Sequence, residues 1–255
     1  MSAGAGRSRY RAVVFDLFGT LLDFDPERLP AMDVDGRRVR STVPRYEALV
    51  ARYAPGVAAG EFSAVLREVT EAVHRAHRTT LVETPSRARF RLVLERVGCA
   101  ADRLEEAAAV LSRAHHAAIA AATIFPESRR AVLAAAAARG PVALVSNFDD
   151  TASGFAILAR HGILPSLAAV VVSEAVGFRK PHPVPLATAL ATLGLSADEV
   201  LMVGDSYDAD VGVASALGAD AAWIDPTRAG PPAGKPPPRY VLERLEDLEP
   251  ILRER

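Results

Sequence analysis

The chain has 255 residues, half of them hydrophobic, and a net charge of −1 from 30 basic and 31 acidic side chains. That length fills one large or two small domains with a substantial core, and the balanced charge excludes a global field that would gather nucleic acid or an anionic membrane. A single cysteine, Cys99 beside Gly98, excludes an intramolecular disulfide framework and a cysteine-based zinc site, and it reads as a small apolar packing residue. The leader MSAGAGRSRYR lacks the apolar segment of a signal peptide and no run reaches membrane-spanning length, so a cytoplasmic protein is expected. Of the 30 basic residues only Lys180 and Lys235 are lysine, and in so arginine-rich a chain each lysine calls for a reason.

In chain order, "RAVVFD" (11–16) is a buried-strand pattern that finishes on a carboxylate, with a turn following at Gly19-Thr20. Residues 24–122 carry no comparable strand. "YEALVARYA", "EFSAVLREVTEAVHRAHRTTL", "SRARFRLVLERVG" and "RLEEAAAVLSRAHHAAIAAA" place apolar residues at helical spacing, while "MDVDGRRVR" has the Asp-Gly centre of a short hairpin. After residue 122, apolar runs alternate with helical stretches: "PVALVSN" (141–147), "LAAVVVSE" (167–174), "EVLMVGDS" (199–206) and "DAAWID" (220–225). Alternation of this kind predicts an α/β fold, a parallel sheet with helices on both faces. The Pro/Gly-rich stretch 226–239 reads as an exposed loop before a last short helix, and solvent exposure suffices to explain Lys235 within it.

Ligands of open parallel sheets bind beyond the carboxyl ends of the strands. Those ends hold Asp16, then Ser146-Asn147, then Glu174 with Lys180 shortly after, then Gly204-Asp205-Ser206. In sequence, "DLFGT", "VSN", "FRKP" and "VGDSYDAD" resemble the four signatures of the haloacid dehalogenase superfamily of hydrolases. The order of the four carries the resemblance, and the helical stretch lies where that superfamily inserts a cap between its first and second motifs. The implied fold is a three-layer, Rossmann-like core of residues 1–23 and 123–255 with a helical cap of residues 24–122.

The resemblance implies a role for each residue. Asp16 is the expected nucleophile, able to attack phosphorus and form an aspartyl-phosphate. Asp16, Asp205 and the Phe18 carbonyl are the expected ligands of Mg²⁺, with Asp210 orienting Lys180 or a metal-bound water. Ser146 and the Asn147 amide are expected to donate hydrogen bonds to the transferring group, and Lys180 to stabilise its developing charge. A first-turn helix acid is the simpler reading of Asp208, and strand-end polarity that of Glu174.

One position departs from the phosphatase pattern. The second aspartate, two residues after the nucleophile, protonates the leaving group, and Phe18 stands in its place; Asp23 and Asp25 lie too far on to be assigned its work. The L-2-haloacid dehalogenases of the superfamily also carry an aromatic residue there, but they need no metal and lack an acidic fourth motif like "GDSYDAD". The phosphonate-cleaving members use a cap lysine, and residues 24–122 contain none. The expectation is therefore a Mg²⁺-dependent phosphohydrolase acting on a small phosphate ester or acyl phosphate. The alternatives are a 2-haloacid dehalogenase and a catalytically weakened protein that binds a phosphorylated ligand or a partner. No nucleic-acid or membrane partner is expected. In the cap, Arg87, Arg89 and Arg91 read as surface ion pairs. His74 and His77 read as solvated residues, and adjacent His115 and His116 as pointing apart. His182 is a candidate substrate contact.

Overall fold

The computed structural model describes residues 9–253 apart from residue 35. Most of the leader and the aspartate of the hairpin turn therefore lie outside the described residues. The chain forms two compact units. One comprises the described part of Met1–Asp23 with Phe125–Asn147 and Leu158–Arg255; the other comprises Phe24–Ile124 and Phe148–Ile157. Among the described residues no helix is long and apolar enough to cross a membrane.

The first unit is built on six parallel strands in the order Tyr240–Leu242, Asp220–Ile224, Val200–Gly204, Ala12–Phe15, Val142–Ser146, Ala169–Val172. The unbroken apolar runs are explained by burial on both faces. Ala12, Val14, Ala143, Val145, Val200 and Met202 pack beneath helices Pro183–Leu193 and Gly212–Leu217. Their alternates, including Phe15, Leu144 and Leu201, are fully buried on the other side, where helix Glu127–Ala137 lies along the sheet. Each large apolar side chain buried this way contributes about 1.5–3 kcal/mol relative to exposure. Ala12–Phe15 is a central strand, pairing Val14 with Ala143 on one side and with Met202 on the other, so its end opens at the middle of the sheet.

The expectation of a loop up to the last helix missed the strand Tyr240–Leu242, which adds to the sheet edge. Asp208 does lie in the first turn of a helical stretch, which begins as a π-helical turn, Tyr207–Val211, and continues as Gly212–Leu217.

Among the described residues the second unit includes the helices Glu47–Tyr53, Ala59–Thr80, Ser86–Arg96 and Leu104–Ala121. Their apolar stripes meet in one core; on Ala59–Thr80 the buried positions Phe62, Leu66 and Val69 recur at helical intervals. The hairpin pairs Ala31–Val34 with Arg37–Arg40. Residues 148–157 join this unit from outside 24–122. Asp149 explains why, since its carboxylate binds Arg89 at 2.8 Å and His116 at 3.0 Å, and its carbonyl accepts the Ser86 N–H at 2.8 Å.

Candidate active site

The strand Ala12–Phe15 holds Asp16 in place by its own ladder: the Asp16 N–H still donates to the Val203 carbonyl at 2.9 Å. The chain then turns back sharply, with the Leu22 N–H on the Leu17 carbonyl and the Gly19 N–H on the Leu22 carbonyl, both at 2.8 Å. Gly19 adopts φ +83°, which L side chains rarely occupy. A carboxylate is thereby fixed at a sheet end rather than left on a mobile loop.

Asp16 faces a cleft of about 260 Å³. The cleft brings together Asp16, Ser146, Asn147, Lys180, Asp205 and Asp210, all read from the sequence, and Phe18, Ser206 and Ala209 complete its wall. Lys180 lies at its heart, only 3% exposed. Its ammonium donates to Asp16 Oδ1 and to the Val145 carbonyl, each at 2.6 Å. Asp210 Oδ1 sits 2.7 Å from the same nitrogen as a second, buried ion pair. Burial disfavours the charged amine, but the facing Asp16 and Asp210 outweigh it and hold Lys180 above the ordinary lysine value.

Asn147, in the cleft wall, also grips the lysine from the side. Its side-chain amide donates to the Lys180 carbonyl at 3.0 Å, and its Oδ1 accepts the Lys180 N–H at 2.7 Å. Both ends of the side chain clamp the lysine backbone, which leaves Ser146 as the hydroxyl of the pair, buried at the cleft wall.

The carboxylates test whether a divalent cation fits. Oxygens of Asp16, Asp205 and Asp210 lie within 4.8 Å of one another. At an effective dielectric near 20, two unit charges that close repel by about 3 kcal/mol, and one ammonium faces all three. Burial, with the nearby charge of Asp16, pushes the Asp205 carboxyl up. Burial likewise pushes Asp210 up to about 7, with Asp16 adding to it against the pull of Lys180. Acids crowded this way are short of counter-charge, and hard oxygen donors suit Mg²⁺ or Ca²⁺. Gly19 keeps the space open, since a Cβ there would run into the Asp205 carboxylate. The residues fit the ion.

A family model described as haloacid dehalogenase-like hydrolase matches residues 10–218. The chain belongs to the haloacid dehalogenase-like hydrolases. It is 28% identical over 244 residues to a phosphoglycolate phosphatase of Pectobacterium atrosepticum, an alignment covering 95% of this chain and 92% of that one. Over 85 residues it is 42% identical to the pyrophosphatase PpaX of Bacillus cereus, covering 32% and 38% of the two chains. The fold of this hydrolase is similar to that of a 2-haloacid dehalogenase from Pseudomonas syringae pv. Tomato (TM-score 0.69, 19% identity, 95% and 97% covered).

The remaining polar candidates of the hydrolase's first unit have structural partners. Asp23 pairs with Arg129 at 2.8 Å. Asp208 pairs with Lys235, so that lysine has a partner beyond solvent. Glu174 lies in the first turn of a short helix, Ser173–Val176. His182, a candidate substrate contact, caps helix Pro183–Leu193 by accepting the Val184 N–H, and its ring stacks on Phe178 at 4.0 Å.

In the second unit, Asp25 caps a 3-10 turn by accepting the Glu27 N–H at 3.0 Å. Arg87 and Arg91 are exposed ion pairs with Glu105, as read. Arg89 is not: it is buried, bonded to Asp149 and to Thr70 Oγ1. His77 is buried beside Glu83 at 3.6 Å rather than solvated. His115 and His116 do point apart, to Thr42 at 2.8 Å and to Asp149. Burial pushes the Cys99 thiol up, as an apolar packing role requires.

Proposed function

We propose that this hydrolase is a divalent-metal-dependent phosphohydrolase acting on a small phosphorylated metabolite through an aspartyl-phosphate on Asp16. The observation that carries the reading is the convergence of three carboxylates and a buried lysine in one small cleft. The phosphatase names of the relatives in sequence support it.

Asp16 would attack phosphorus as its bond to the leaving oxygen breaks, and water would then cleave the acyl phosphate and restore the carboxylate. Asp16, Asp205 and the Phe18 carbonyl would hold the cation, which when bound supplies neutralisation of the phosphoryl oxygens. Lys180, fixed by the Asn147 clamp and by Asp210, would place a compact positive charge on the transferring group. Ser146 would donate its hydroxyl to the same group.

Phe18 moves no proton, and general acid–base catalysis is typically worth ~10²–10⁴-fold. Substrates with good leaving groups, acyl phosphates among them, are therefore preferred over alkyl esters. Replacement of Phe18 by aspartate should raise turnover of poor leaving groups more than of para-nitrophenyl phosphate.

The deciding experiment measures phosphate release from para-nitrophenyl phosphate and halide release from 2-chloropropionate, each with Mg²⁺ and with chelator. Mg²⁺-dependent phosphate release, abolished in Asp16→Asn, is the expected result. Metal-independent chloride release would replace the reading with that of a dehalogenase, which the aromatic Phe18 in the cleft wall favours. Absence of both activities would make the chain a binding protein.

A further inference from the structure

Asp205 is the exposed member of the carboxylate cluster. Among the described residues its side chain has no ion pair or hydrogen-bonding side chain to aim it, so its direction depends on its backbone. That backbone is gripped from the neighbouring strand. The indole N–H of Trp223 donates to the Asp205 carbonyl at 2.9 Å. Trp223 stands opposite Gly204 in the parallel register, one residue short of the carboxylate, and is 9% exposed.

The indole is itself braced. The Tyr207 ring meets it edge-on at 5.2 Å between centroids. The Tyr207 hydroxyl donates to the Pro236 carbonyl. The Lys235 ammonium lies 5.7 Å over the Tyr207 ring and pairs with Asp208. The edge-on aromatic pair and the cation–π contact together favour one rotamer of the indole. The Pro-rich loop is thus pinned to the π-helical turn that follows Asp205, and the second lysine of the chain gains a purpose there.

We propose that Trp223 is a positioning residue for cation binding, fixing the backbone of Asp205 so that its carboxylate meets Asp16 at the cleft, with Tyr207 and Lys235 bracing the indole. This rests on the reading of Asp205 as a metal-holding carboxylate. Because Trp223 is the sole tryptophan, the intact protein reports on the site through its own emission.

Mg²⁺ titrated into the unaltered protein should change tryptophan fluorescence with the midpoint found by calorimetry, and Asp205→Asn should abolish both signals. Trp223→Phe, which keeps a ring but loses the N–H, should weaken Mg²⁺ binding by about 10-fold, a loss of about 1.4 kcal/mol. In that variant KM for para-nitrophenyl phosphate should stay unchanged and kcat should recover at saturating Mg²⁺. Tyr207→Phe, cut from Pro236, should show the same effect in weaker form. Mg²⁺ binding that is unaltered in Trp223→Phe, or silent in the emission of the parent, overturns the positioning role while leaving the metal reading intact. No Mg²⁺ binding by the parent overturns both.

Discussion

Asn147 and Lys180 hold each other at two points. The amide of one donates to the carbonyl of the other at 3.0 Å, and the return N–H bond measures 2.7 Å. The clamp is built from a side chain and a backbone 33 residues apart, and it fixes where the lysine enters the cleft. Asn147→Ala leaves a buried N–H and carbonyl unpaired, each costing about 1–3 kcal/mol. A fall of about 2 kcal/mol or more in urea-unfolding stability and a lower kcat are expected. An unchanged urea midpoint would refute the clamp.

Lys180 is the counter-charge of two buried acids. Lys180→Met leaves Asp16 and Asp210 facing each other uncompensated, which should cost about 3–5 kcal/mol. Adding Asp210→Asn removes one of the stranded charges, so the double variant should unfold at higher urea than Lys180→Met alone. Additive losses in that cycle would mean that the pair at 2.7 Å has no coupling.

Gly19 and Gly56 separate backbone strain from site geometry. Both have strongly positive φ, +83° and +89°. A Cβ at Gly56 meets nothing within 4 Å, whereas at Gly19 it strikes the Asp205 carboxylate. Alanine at either position should destabilise by about 1–2 kcal/mol through the left-handed backbone. Calorimetry should find Mg²⁺ binding weakened in Gly19→Ala and untouched in Gly56→Ala.

The second unit should be acid-sensitive through His115. Burial and then the charge of Arg89 push this imidazole down to about 3, with His116 adding to the effect and Asp149 opposing it. Above the unfolded value near 6.5 both states are neutral and no stability is at stake. Between about pH 6.5 and pH 3 the unfolded chain takes up a proton that the folded chain refuses, so stability falls with pH by up to about 1.4 kcal/mol per unit. Asp149 adds to this trend only below about pH 4, where the unfolded carboxylate begins to take up a proton that the folded one refuses. Burial raises its carboxyl, but His116 and Arg89 more than compensate and hold it at about 2, so it keeps its charge throughout that range. His115→Gln, which keeps a partner for Thr42, should flatten the dependence of the melting temperature between pH 7 and pH 4. A slope equal to the parent's would assign the sensitivity elsewhere.

Legibility followed the range of the interaction. Ala12–Phe15, Val142–Ser146 and Val200–Gly204 could be read because burial on both faces makes every position apolar. Asp16, Lys180, Asp205 and Asp210 could be read because a charge at such an end has few structural uses. Tyr240–Leu242 could not, being three residues long with Val241 half exposed at the sheet edge. The grip of Asn147 on the Lys180 backbone could not be read, since an amide looks the same whether it binds a ligand or a backbone. Arg89, His116 and Asp149 form one buried network across long sequence separations, and nothing local in "SRARFR" separates Arg89 from its exposed neighbours. Trp223 carried no signal beyond being apolar, because its contribution is one N–H aimed at a carbonyl.

The middle position of Ala12–Phe15 has a consequence for biosynthesis. This segment is made long before its two neighbours, which are translated some 130 and 190 residues later, as the pairing of Val13 with Val142 and of Ala12 with Val200 requires. Until then a sticky stretch with both hydrogen-bonding edges bare must wait in the cell, the situation in which nascent chains aggregate or recruit chaperones. Asp16 is thus made long before the strands that complete its cleft.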